Sequence, residues 1–212
     1  MRRFFLALMA GLGVLALAVS AGGYAVGNFT RAQKADLDRI SASLNAIHTM
    51  KGSFTQIDSN GGIAQGTFFV EKPGKMRFEY SPPVRMLVVA DGHTVAVRNG
   101  KLNTTDRYPL GNSPLNFVLS NDLDLKSNPM IIGVERQNGS LIVRAHASHN
   151  EMNGSITMVF TDPGLELRQW TIFDAQGQET TVSLADVQFG TDIPGSAFVL
   201  KDDAKFSKNK QD

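Results

Sequence analysis

From residue 52 onward the chain is punctuated by turn dipeptides at the spacing of short strands. They are Asn60-Gly61, Pro73-Gly74, Asp91-Gly92, Asn99-Gly100, Asn138-Gly139 and Asn153-Gly154, with a further turn from Asp174 to Gly177. Asn-Gly and Asp-Gly supply the positive φ angles of tight hairpins. The runs between them include GTFFVE, KMRFEY, RMLVVA, HTVAVR, SLIVRAHA, SITMVF, LELRQWTIF and ETTVSLADV. With weaker candidates included, roughly eleven strands are expected, joined mostly by hairpins. No strand–helix–strand alternation occurs, which disfavours a parallel sheet.

Two segments break the alternation. In residues 30–48, Leu37, Ile40, Leu44 and Ile47 recur at spacings of three and four, the stripe of an amphipathic helix. Thr30 and Gln33 fit a capping box at its start. In residues 109–126, Ser113 suits a cap and Pro114 a first helical position, followed by a stripe of Leu115, Val118 and Leu119. This predicts a short helix over about 113–122 between two halves of the sheet. A mainly β fold follows: a meander of about eleven antiparallel strands curls into a half-open barrel, and the helices cover its mouth or concave face. So wide a barrel must be filled, by its own side chains or by a ligand.

The N-terminus reads as an export signal rather than as part of the fold. Met1-Arg2-Arg3 is a positive start, Phe4 to Val19 is apolar, and Ser20 to Ala25 is rich in small residues. Cleavage is expected after Ser20 or after Ala25, leaving residues 26–212 as a single domain. An uncleaved anchor is the alternative, since roughly 17–22 apolar residues nearly span a bilayer. Without Arg2 and Arg3 the chain holds 19 basic against 20 acidic residues. No basic stripe is present that would displace counterions from phosphates, so nucleic acid is not an expected partner. The chain has no cysteine, so its core alone must hold it and it is not itself lipid-modified at a cysteine.

Catalytic signals are sparse. No Gly-x-Ser-x-Gly elbow occurs. His146 and His149 are three apart at a strand end, where neighbours at that spacing face opposite ways, so no metal site is expected. The spread aspartates show no calcium-loop spacing, and no cofactor is implied.

The informative pattern is apolar. Met76, Phe78 and Tyr80 alternate with Lys75, Arg77 and Glu79. Phe68 lies in the preceding strand, Met86 and Val88 alternate in the next, and Ile156, Met158 and Phe160 alternate further on, followed by Trp170 and Ile172. These faces suit either a packed barrel core or a surface for acyl chains, and methionine adapts well to mobile apolar partners. The hairpin between the two strands adds basic residues. Arg77 either pairs with Glu79, or it or Lys72 donates to backbone carbonyls of a covering helix and acts as a latch.

Here the chain resembles a known family. GSFTQ (52–56), GTFFVEKPGKMRFEY (66–80), VVADGHTV (88–95), PLGNSPLNFVL (109–119), LELRQWTIFDAQGQETTVSL (165–184) and AFVL (197–200) are similar, in order and spacing, to the LolA-like periplasmic outer-membrane lipoprotein carriers. The resemblance covers about residues 34–201. It implies an unclosed antiparallel barrel with a helical lid over an apolar cavity. It also implies a non-enzymatic, periplasmic carrier, expected as a monomer. Such a carrier takes acylated lipoproteins from an inner-membrane, ATP-driven transporter to an outer-membrane acceptor. On this reading Phe68, Met76, Phe78, Tyr80, Met86, Val88, Met158, Phe160, Trp170 and Ile172 line the cavity, and the lid carries Leu37, Ile40, Leu44, Leu115, Val118 and Leu119. Enterobacterial members latch the lid through an arginine just before the hairpin proline. Lys72 stands at that position, a point donor without the guanidinium fork. Other occupants remain open on the residues alone: a free lipid or glycolipid, or an envelope protein bound through the sheet's edge or convex face.

Overall fold

The computed structural model describes residues 28–113, 116–146, 154–174 and 177–200. The expected export signal, Leu115 and His149 lie outside them. Helix α1 (Arg31–Asn45) begins at the Thr30 capping box: the Thr30 hydroxyl accepts from Gln33 N at 3.2 Å and Thr30 N donates to Gln33 Oε1 at 2.9 Å. Strands β1 (Thr49–Asp58), β2 (Ile63–Glu71), β3 (Lys75–Tyr80), β4 (Met86–Asp91), β5 (Thr94–Asn99) and β6 (Thr104–Pro109) follow as a hairpin meander. After helix α2 (Asn116–Leu119) come β7 (Ile131–Gln137), β8 (Ser140–His146), β9 (Ser155–Thr161), β10 (Leu167–Phe173) and β11 (Glu179–Phe189).

All eleven strands join one sheet in the order β6-β5-β4-β3-β2-β1-β11-β10-β9-β8-β7, and every adjacent pair is antiparallel. The chain's first and last strands pair at the centre, and β6 and β7 are left as the two edges. The sheet is open. It is also strongly curled. Strands four places apart lie about 19 Å from each other in a flat sheet, yet the rings of Phe78 on β3 and Trp170 on β10 have centroids 6.0 Å apart.

The turn chemistry accounts for several hairpins. Asn138 and Gly139 take φ of 50° and 74°, as the β7–β8 turn requires. Glycines within the strands make room for rings instead. A Cβ on Gly66 would stand 2.6 Å from the Phe54 ring, and one on Gly52 would stand 2.9 Å from the Phe68 ring. Those rings therefore lie flat along the sheet.

The expected helix over 113–122 ends earlier, at Leu119; its described part is Asn116–Leu119, and Pro114 lies with Leu115 outside the described residues. A 3-10 turn spans Leu110–Asn112. The Ser113 carbonyl accepts from Asn116 N at 3.0 Å. Beyond α2 the chain carries Leu123 and Leu125 into the core, both buried.

Candidate functional site

Strand parity sorts the sheet's residues. Phe68 pairs with Phe78, Val70 with Met76, and Gly66 with Tyr80, so these share the inner face. Phe78 pairs in turn with Val88, which places Val88 there as well. On the other half, Trp170 pairs with Met158 and Val182, Ile172 with Ile156, and Met158 with Val143. Both halves and α1 meet in one apolar cluster.

Of the residues expected to line a cavity, Phe68, Met76, Phe78, Met158, Phe160 and Trp170 are buried within that cluster, and Tyr80, Val88 and Ile172 pack against it. Met86 does not join them. It is half-buried at the start of β4, where the strand leaves the covered part of the floor. Met50, Phe54, Val70, Val182 and Leu184 belong to the same floor and were not singled out from the sequence. The alternation of Met50 and Phe54 across Gly52 was the available signal.

The aromatic residues interlock. Phe78 stands at the centre, with ring centroids 4.7 Å from Phe54, 5.5 Å from Phe68 and 6.0 Å from Trp170. Tyr80 meets Phe54 edge-on at 5.0 Å, and its hydroxyl donates to Gln56 Oε1 at 2.6 Å. Burial pushes the Tyr80 phenol up to about 12.

Above this floor lie Leu37, Ile40 and Leu44 of α1 and Val118 and Leu119 of α2, all buried. The space left between floor and helices is about 10 Å³, enclosed by Met50, Phe68, Met76, Phe78, Leu119 and Trp170 among others. That is room for about one water molecule. A larger groove of about 410 Å³ opens outward beside α2, lined by Ser113, Asn116, Ser120, Asp122 and Asp124 among others. Phe117, Leu123 and Met130 also line it, so its lining is mixed; the enclosed floor, lined by apolar side chains, is the site of interest.

The β2–β3 hairpin reaches the helices at two points. Lys72 Nζ donates to Leu44 O at 2.7 Å, in the last turn of α1, and Gly74 N donates to Leu119 O at 2.9 Å, at the end of α2. Helix C-termini carry unpaired carbonyls and partial negative charge, so a cation is well placed there. Lys72 is only 8% exposed, and burial lowers its pKa to about 8. Arg77 lies elsewhere. It faces outward, with Nε and Nη2 donating to Glu79 at 3.0 and 2.9 Å and Nη1 to Ala197 O at 3.3 Å. The side chain that touches the covering helix is therefore Lys72 and not Arg77. Parity decides it: Arg77 alternates with Met76 and Phe78, whereas Lys72 continues the row of Phe68 and Val70.

The outer face beneath Arg77 has its own cover. A 3-10 turn at Gly195–Phe198 packs on β3 and β4 and buries Phe198, and Val89 and Ala96, which share the face of Arg77, are buried as well. On the far side of α1 a charge cluster forms. Arg136 on β7 bonds Asp36 of α1 through Nε at 3.0 Å and through Nη2, and its Nη1 bonds Asp162 after β9. Arg39 adds contacts to Asp36 at 3.3 Å and to Asp162 at 3.2 Å. Among the described residues no group of His, Asp and Glu is placed to hold a metal ion.

The profile of the family described as outer membrane lipoprotein carrier protein LolA matches residues 45–201. This chain belongs to the LolA family. Its relatives include an outer-membrane lipoprotein carrier protein of Cupriavidus taiwanensis, 29% identical over 80% of this chain and 90% of that protein. Another, of Cupriavidus pinatubonensis, is 28% identical over 76% and 81%. A solved LolA superfamily protein from Nitrosomonas europaea aligns over 77% of this chain and 97% of its own, at 8% identity and a TM-score of 0.43.

Proposed function

We propose that this LolA-family chain is a periplasmic carrier that encloses the acyl chains of lipoproteins between the curled sheet and its helical lid. The observation that supports this most is the pairing of floor and latch: a floor of aromatic and methionine side chains lies under helices that Lys72 and Gly74 hold at their C-terminal ends. A core meant only to stay shut has no need of a buried ammonium at its rim.

The energetics favour such a device. A lipoprotein's acyl chains bring on the order of 40 methylenes, and at roughly 0.8 kcal/mol each their exposure to water would cost about 30 kcal/mol. The strongest non-covalent affinities reach only about 18–21 kcal/mol. An apolar cavity replaces one apolar surrounding with another, so transfer becomes nearly neutral. With about 10 Å³ between floor and lid, entry requires α1 and α2 to lift. Their apolar faces and the floor then wrap the chains in place of each other. Loading draws on an ATP-driven inner-membrane transporter, and release on an outer-membrane acceptor. No covalent bond changes, so no catalytic residue is assigned. Residues 1–25 act as the export signal, and 26–212 as the carrier domain.

The test is mass spectrometry of the protein purified gently from its own periplasm. Lipoproteins bound through their acyl groups support the reading. A free lipid or glycolipid keeps the cavity and changes the cargo. A protein that carries nothing and takes up no acylated peptide overturns it.

A further inference from the structure

A second stripe runs along α1 beside the apolar one. Asp38, Ser41 and Asn45 recur at spacings of three and four, so they share a helix face. Each meets the segment that follows α2, in antiparallel order. Asp38 pairs with Lys126 at 2.8 Å. Ser41 Oγ accepts from Leu125 N at 3.0 Å while donating to Leu37 O at 2.8 Å. Asn45 makes both bonds to one residue: Nδ2 donates to Leu123 O at 3.0 Å, and Oδ1 accepts from Leu123 N at 3.0 Å.

The Asn45 contact is the most demanding of the three. A carboxamide alone presents a donor and an acceptor side by side, and it thereby satisfies both backbone groups of Leu123 as a neighbouring strand would. Asp offers acceptors only. Leu123 and Leu125 are buried beneath this seam, so their backbone groups would otherwise be left without partners at high cost. Asn45 also adjoins Leu44, whose carbonyl receives Lys72. The seam thus joins the part of the lid that Lys72 holds to the part that Gly74 holds.

We propose that Asn45 is a positioning residue that makes α1 and the 116–126 segment one lid, so that the single cation Lys72 governs both. This inference rests on the carrier reading for its purpose, but its geometry is tested without cargo. The chain contains no cysteine, so spin labels at introduced cysteines report cleanly. One pair, Ala42→Cys with Thr67→Cys, reads α1 against the outer face of β2. The other, Asp122→Cys with Thr67→Cys, reads the second lid segment against the same point. All three sites are exposed.

In the background Lys72→Ala, both distances are expected to lengthen together. With Asn45→Ala added, they are expected to separate, one lengthening without the other. Asn45→Asp, which keeps the acceptor for Leu123 N, serves in its place if the alanine variant does not accumulate in folded form. Equal lengthening with Asn45 removed overturns the proposal, as does separate movement with Asn45 intact. If Lys72→Ala moves neither pair, the latch falls and this inference with it. Uptake of a dansyl-labelled fatty acid by the same proteins then judges the carrier reading separately.

Discussion

The two borders of α1 are built differently. Along β7 and β9 the helix is held by several groups at once: Gln33 Nε2 donates to Val134 O, Ser43 Oγ donates to Leu165 O, and Asp36 and Arg39 enter the cluster with Arg136 and Asp162. Along β2 and β3, among the described residues, its one side-chain hydrogen bond is that of Lys72. A border with redundant contacts survives the loss of one, whereas a border with one contact is opened by its loss. The lid should therefore lift from the β2–β3 side and pivot on the β7–β9 side. On the proposed carrier function, acyl chains would then enter over Met76 and Phe78.

The largest effect should come from the floor common to both borders. Phe68→Ala, at a fully buried position, is expected to cost about 3–5 kcal/mol of stability, read as a lower denaturation midpoint, and to abolish fatty-acid uptake. Next comes the pivot. Arg136→Ala leaves Asp36, 6% exposed, with Arg39 alone. A lower denaturation midpoint is expected, with a smaller drop than for Phe68→Ala because Arg136 is itself exposed to solvent and its pairs are screened. Uptake should not become faster. If this variant instead loads faster with unchanged stability, the pivot and the latch have been assigned to the wrong borders.

At the latch the signs reverse. Lys72→Met removes a charge-assisted hydrogen bond, worth about 1.5–3 kcal/mol, but also relieves a buried ammonium. Stability should change by less than about 1 kcal/mol, while stopped-flow uptake of a dansyl fatty acid quickens by roughly tenfold, the effect of ~1.4 kcal/mol on a barrier. The smallest effect is that of pH. Burial lowers Lys72 to about 8 from the usual 10.5, so the closed lid prefers the neutral amine and an opened one returns to the ammonium. The open and unfolded forms bind more protons between those values, so raising the pH from about 8 to 10.5 favours closure. Uptake should slow across that window in the native chain and stay flat in Lys72→Met. A native rate that rises there would contradict the burial of the ammonium.

Much of the frame was legible because its signals are local. The Thr30–Gln33 box and the Leu37, Ile40, Leu44 stripe specify α1 within one stretch of chain, and hairpin turns set strand order by adjacency. The floor was legible through parity at Phe68, Met76, Phe78, Met158 and Trp170. What the sequence hid depends on distance. Asp36 and Arg136 are a hundred residues apart, and nothing near either marks the other. Lys72 and Arg77 both stood as candidate latches, and nothing near either one marks the Leu44 carbonyl that Lys72 reaches. Val118 and Leu119, expected on a helical stripe, are buried, but the residues that follow them are held by Asn45 and Ser41 rather than by helical periodicity.

The order of the strands has one more consequence. β6 and β7 are consecutive in the chain but occupy opposite edges of the open sheet. Residues 110–130, which include α2, must therefore span the gap between the edges. They behave as a drawstring threaded through both rims. At roughly 3.5 Å per extended residue, its contour is about 70 Å. Any widening of the sheet would draw on that length, so the connection that carries Leu119, Leu123 and Leu125 into the core also limits how far the two edges can part.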